Sequence, residues 1–127
     1  MRIAALTKNN FVQTVSTGGI VLVDFWASWC GPCQRFAPVF ERAASNHPDI
    51  RFAKVCTEEE PELAARFDVQ SIPTLMAFRN GEVVYNQAGA LSESQLEQVI
   101  TVIRTRAGRP ADGYVGPSVL GRRIRGT

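Results

Sequence analysis

No apolar stretch in this sequence is long enough to cross a membrane. The longest, Ile20 to Trp29, is broken by Asp24 and Ser28, whereas a spanning helix requires ~20 such residues. The opening residues, MRIAALTKNNF, also lack the ~7 to 15 residue apolar centre of a secretory signal. Export is therefore not expected, and the cytoplasm is the expected compartment. An excess of one charge is missing as well: 14 basic residues against 12 acidic ones give a net +2. With 20% charged and 45% hydrophobic residues, the chain fits neither the disordered class nor a nucleic-acid binder. Neither nucleic acid nor membrane is expected as a partner. Cysteines number only three, an odd count that argues against a structural disulfide framework and towards reactive or metal-binding thiols.

The 127 residues suffice for one domain with one core. The small net charge hides an asymmetry, since residues 1–105 sum to −2 and residues 106–127 to +4. From Gly108 onwards Gly, Pro and Arg dominate and no hydrophobic period persists. A domain over 1–107 and a flexible basic tail over 108–127 are expected. The tail reads as a solvated extension, with an electrostatic docking arm for an acidic partner as the alternative.

Within the domain, Phe11, Val12 and Val15 recur at helical spacing after Thr7, which predicts a first helix of about ten residues ending at Gly18-Gly19. Ile20 to Ala27 is apolar on both faces and reads as a central strand. Phe36, Val39, Phe40, Ala43 and Ala44 then mark a helix to about Asn46, kinked by Pro38. Ile50 to Cys56 predicts a second strand, parallel to the first through a right-handed crossover. Pro61 to Phe67 reads as a short helix. Asn80-Gly81 between Thr74–Phe78 and Val83–Asn86 predicts an antiparallel hairpin, so the sheet is mixed. Ser92 to Gln95 has the form of a capping box and opens a last helix through Leu96, Val99, Ile100 and Ile103.

Between the first strand and its helix stands Cys30-Gly31-Pro32-Cys33. A helix N-terminus offers unpaired N–H groups and the positive end of the dipole, so Cys30 should hold its thiolate readily and act as nucleophile. Cys33, one turn on, is close enough to form a disulfide with it and is the expected resolving thiol. Pro32 fits the first helical turn, where its missing N–H breaks no bond, and Gly31 lets a substrate backbone approach. The competing reading is half of a zinc site completed by Cys56 and His47, although a second cysteine pair at ligand spacing is missing. Asp24 lies in the apolar strand, where burial raises the pKa of a carboxyl. It is a candidate acid and base for Cys33; the bland alternative is a core aspartate paired with Lys54 of the next strand. Pro73 precedes a strand, where a cis Ile72-Pro73 bond would leave Ile72 backbone groups to pair with an extended peptide; a trans bond is the alternative. Cys56 reads as packing or as a regulatory thiol, and His47 and the acidic run Glu58, Glu59, Glu60 and Glu62 as solvated surface.

Together VDFWASWCGPC, the helix with Pro38, SIPT, NGEVV and AGALS resemble the thioredoxin family over about residues 3–105. The resemblance implies an α/β thioredoxin fold, a five-stranded mixed sheet flanked by four helices, and a monomeric dithiol-disulfide oxidoreductase that reduces protein disulfides. It places Asp24 and Lys54 at the family's buried acid and its partner, and Pro73 at the cis-proline. It implies substrate contacts at Trp29, Gly31, Pro32, Ile72, Pro73, Gly89 and Ala90, an apolar rim around an exposed Cys30 sulfur. Electrons would come from NADPH through a thioredoxin reductase, with no bound cofactor. RFAKVCTEEEPELAARF resembles the second bacterial type, whose N-terminal zinc ribbon has no counterpart here, so zinc is not expected. Cys56 stands where the family usually carries asparagine. Two rivals are a binding or assembly subunit whose thiols do not cycle, and a disulfide oxidase or isomerase.

Overall fold

The computed structural model describes residues 3–106 together with Gly116–Pro117 and Arg123–Ile124. Asp24 and the residues around it lie in β2 (Ile20–Trp26), a strand with hydrogen-bonded neighbours on both sides. On one side β3 (Arg51–Cys56) runs parallel to it, and β1 (Ile3–Ala5) runs parallel to β3. On the other side β4 (Thr74–Arg79) is antiparallel, and β5 (Glu82–Ala88) pairs antiparallel with β4. The order β1-β3-β2-β4-β5 makes a five-stranded mixed sheet. The hairpin between β4 and β5 turns on Asn80 and Gly81, both at positive φ, 54° and 81°, as a two-residue turn matched to strand twist requires.

Alternation along β2 divides the core in two. Val21, Val23 and Phe25 face α1 (Phe11–Val15) and α3 (Pro61–Arg66), where Phe11, Phe67 and Phe78 pack ring against ring at 5.2 to 5.8 Å. Ile20 and Leu22 face α2 (Gly31–Asn46) and α4 (Glu93–Arg106), packing with Phe36, Phe40, Leu96 and Ile100. Asp24 shares the parity of Leu22 and so belongs to the α2 side. The capping box forms as the sequence predicts: the Gln95 N–H donates to Ser92 Oγ and the Ser92 N–H to Gln95 Oε1.

Two expectations need correction, and one element goes unread. The first helix has five residues, not ten, because Thr7 and Asn10 use their side chains on the backbone: the Thr7 N–H donates to Asn10 Oδ1 at 2.7 Å and the Asn9 N–H to Thr7 Oγ1 at 3.2 Å. Such local bonds compete with helix. β1, too short to show any period, escapes a reading of the residues and becomes a strand through its pairing with β3. His47 is not solvated surface, since its side chain is 18% exposed. Its Nδ1 accepts from Arg104 at 3.1 Å and its Nε2–H donates to Glu97 at 2.9 Å, while Arg104 also bridges to Asp49. Of the expected tail, only Gly116–Pro117 (β6) and Arg123–Ile124 (β7) are described, paired antiparallel with each other. The expectation of flexibility over 108–127 otherwise lies outside the described residues.

Candidate active site

β2 ends at Trp26, and after four intervening residues α2 begins at Gly31. Cys30 is the N-cap of α2, in extended conformation, and Pro32 stands in its first turn. Cys30 and Cys33 form a disulfide with their Cα atoms 5.2 Å apart. The Cys33 N–H donates to Cys30 Sγ at 3.1 Å. The cap that a Ser or Asp oxygen would usually supply is here a sulfur, so a negative charge on that atom meets a backbone donor and the positive end of a 16-residue helix. The zinc alternative finds no geometry: His47 caps the opposite end of α2, and no group of three His, Cys, Asp or Glu side chains able to hold a metal occurs among the described residues.

Asp24 is 4% exposed and faces Lys54 in the β2–β3 register. Burial pushes its carboxyl up to about 7, against the opposing pull of Lys54. The Lys54 ammonium lies over the Trp26 ring, 5.0 Å from its centre, and Asp24 Oδ1 has no hydrogen-bond partner among the described residues. A cavity of about 120 Å³ opens beside this carboxyl, lined among others by Asp24, Cys33, Lys54, Gln34 and Glu41. Such a space exceeds what one water needs, and it joins the buried acid to the second cysteine.

The rim divides by exposure. Trp29 is 71% exposed, and Gly31, Pro32, Gly89 and Ala90 are exposed as well, whereas Ile72 is half-buried and Pro73 buried. The Ile72-Pro73 bond is cis. The Ile72 carbonyl lies 3.7 Å from Cys30 Sγ, and Ile72 packs against Ala27, Cys30 and Cys33. Gly89, at φ 116°, donates its N–H to the Pro73 carbonyl at 2.8 Å, which ties the β5 end of the rim to the proline. Cys30 is not the open sulfur expected: like Cys33 it is 4% exposed, because the disulfide and Ile72 cover it.

One residue read as surface belongs to this region. Glu58 Oε1 accepts from the Ser28 N–H at 3.1 Å and the Ser28 hydroxyl at 2.9 Å. No local pattern in the acidic run marks it out. The register does: Trp26 pairs with Cys56, and two residues further along both chains stand Ser28 and Glu58.

A family model described as Thioredoxin matches residues 2–102. The chain is 56% identical over 95 residues to a putative thioredoxin 2 of Streptomyces coelicolor, covering 75% of this chain and 71% of that one. It is 45% identical over 93 residues to a thioredoxin of Alicyclobacillus acidocaldarius, covering 72% and 89%. To thioredoxin 1 of Synechococcus elongatus it is 42% identical over 99 residues, covering 76% and 92%. A chain from structures of thiol resolution in yeast mitochondrial 1-Cys peroxiredoxin by the glutathione and thioredoxin systems superposes with a TM-score of 0.73 at 29% identity, covering 79% of this chain and 94% of that one. The sulfur-capped helix, the buried acid behind it and these likenesses agree: the chain belongs to the thioredoxin family, and it is a thiol-disulfide oxidoreductase, a protein-disulfide reductase built on Cys30 and Cys33.

Proposed function

We propose that Cys30 attacks and Cys33 resolves, with Asp24 taking the proton between the two steps. In the reduced protein the Cys30 thiolate attacks one sulfur of a substrate disulfide. A Cys30–substrate bond forms, the substrate S–S bond breaks, and its second sulfur leaves as a thiolate that takes a proton from water. Cys33 then gives its proton to Asp24 across the shared cavity and attacks Cys30 Sγ. The Cys30–Cys33 bond forms, the first substrate sulfur leaves, and Asp24 returns the proton to it or to water. Two electrons have passed from the dithiol to the substrate. Lys54 keeps the Asp24 carboxylate attainable near neutral pH by opposing the effect of burial. Trp29, Gly31, Pro32, Ile72, Pro73, Gly89 and Ala90 form the docking rim, where an extended segment of substrate lies alongside Ile72.

The observation that carries this reading is the Cys33 N–H bonded to Cys30 Sγ at the head of α2. It favours charge on one sulfur while the other is already within bonding reach. We propose further that a thioredoxin reductase returns the dithiol with electrons from NADPH, that the protein acts in the cytoplasm as a monomer, and that it holds no cofactor of its own. Insulin reduction followed by turbidity, with NADPH and a purified reductase, tests the scheme. Cys30→Ser should be inactive, and Cys33→Ser should accumulate a mixed disulfide with substrate, visible as a mass adduct on Cys30. Full activity of Cys30→Ser in a biological assay would instead favour a binding or assembly subunit. A pair held largely as the dithiol by a glutathione buffer in which a low-potential pair stays oxidised would favour an oxidase or isomerase.

A further inference from the structure

The loop that delivers Cys30 is held from both flanks by side chains for which the reaction has no use. All three polar atoms of Ser28 are engaged. Its N–H and hydroxyl donate to Glu58 Oε1 at 3.1 and 2.9 Å, and its carbonyl accepts from Gln34 Nε2 at 2.9 Å. Glu58 reaches in from the segment after β3, and Gln34 from the first turn of α2. The neighbouring backbone is tied across the same gap, the Thr57 N–H donating to the Trp26 carbonyl at 2.8 Å. These bonds, the Ser28 N–H foremost, hold the Glu58 carboxyl below its usual range, so the clamp is charged throughout the neutral region.

What the clamp fixes is the piece of loop carrying Trp29, which follows Ser28 and projects into solvent. The Cys30 sulfur is held separately, by the Cys33 N–H of α2 itself. We infer that Glu58 is a positioning residue for protein substrates: through Ser28 it sets the Trp29 side of the docking rim without setting the reactivity of Cys30. The inference rests on the reductase reading above and deepens it.

The test uses the full chain, reduced beforehand and mixed with increasing insulin in single turnover, so that no reductase enters the rate. With Glu58→Ala the half-saturating insulin concentration should rise about fivefold while the limiting rate stays within about twofold of the parent. The pH midpoint for alkylation of Cys30 by iodoacetamide should not move. Glu58→Gln keeps an acceptor oxygen and should return half-saturation to within about twofold of the parent. Ser28→Ala should fall between, and Glu58→Ala with Ser28→Ala should be no worse than Glu58→Ala alone, since both act through one contact. A lowered melting temperature with unchanged half-saturation would overturn the inference, as would a displaced alkylation midpoint accompanied by a fall in the limiting rate. A parent that does not reduce insulin overturns the reductase reading and this inference with it; an active parent with unmoved variants overturns this inference alone.

Discussion

Asp24 ionises near 3.8 in an unfolded chain and near 7 in the fold. Between those values the folded state keeps a proton that the unfolded state has lost. Stability therefore falls as pH climbs from about 4 to about 7 and levels off above. Asp24→Asn removes the charge and keeps the shape, so it should raise stability by up to about 4 kcal/mol at pH 8 and by little at pH 4, since a tenfold change in ionisation corresponds to about 1.4 kcal/mol. Urea unfolding of the oxidised protein at both pH values checks this. The same variant should resolve the mixed disulfide slowly at every pH, whereas the parent should slow as pH drops through about 7 and Asp24 keeps its own proton. Equal turnover of variant and parent between pH 6 and 8 would remove the acid-base role. Asp24 is legible in the sequence because a carboxyl interrupts an apolar strand, and Lys54 because it lies on the next strand. The position of the Lys54 ammonium over Trp26 is not legible, since it depends on a ring from the neighbouring strand. Glu58 is hidden for a related reason, as its partner lies 30 residues away and only the strand register brings the two together.

At the scale of elements, the sequence is most informative where local chemistry and tertiary packing agree. The capping box of α4, the Cys-Gly-Pro-Cys start of α2 and the Asn-Gly hairpin each carry their own stop or start signal, and each forms where the residues indicate. α1 is where they disagree: the hydrophobic spacing after Thr7 suits a longer helix, but Thr7 and Asn10 satisfy backbone groups in a turn first. β1 has no signal of its own, because three residues cannot display a period of two. The hairpin also supplies a prediction remote from the chemistry. Gly81 sits at φ 81°, a conformation that costs an L-residue about 1–2 kcal/mol. Gly81→Ala should lower stability by about that amount in denaturant titration while leaving insulin reduction unchanged, because the turn lies at the opposite end of β4 from Pro73.

Across the whole molecule, the sheet separates two apolar compartments, and the reacting groups gather at one end of it. There β2 runs out, α2 begins, and the loop before β4 brings Ile72 to the first sulfur. The reactive cysteine pair was legible from its spacing at a strand-helix junction. The contact between that junction and the segment before Pro73 was not, because Cys30 and Ile72, 42 positions apart, meet only once the sheet is assembled. We expect residues 108–127 to lie outside this folding unit. A chain ending at 107 should melt within about 2 °C of the parent, less than the shift that about 1 kcal/mol produces in a domain of this size, and should reduce insulin at the parent rate. A larger drop would make the basic segment part of the fold.

The central place of β2 has a consequence for how protons travel. A strand bonded on both flanks and walled in by both compartments exchanges its amide hydrogens with deuterium only when the molecule opens as a whole. Local breathing of the backbone thus cannot ferry hydrogen ions to the carboxyl seated in that strand. We expect its traffic with bulk water to run through the hollow under α2, which Ala37 also lines, so that a bulkier side chain at Ala37 should slow resolution by Cys33 while leaving attack by Cys30 unchanged.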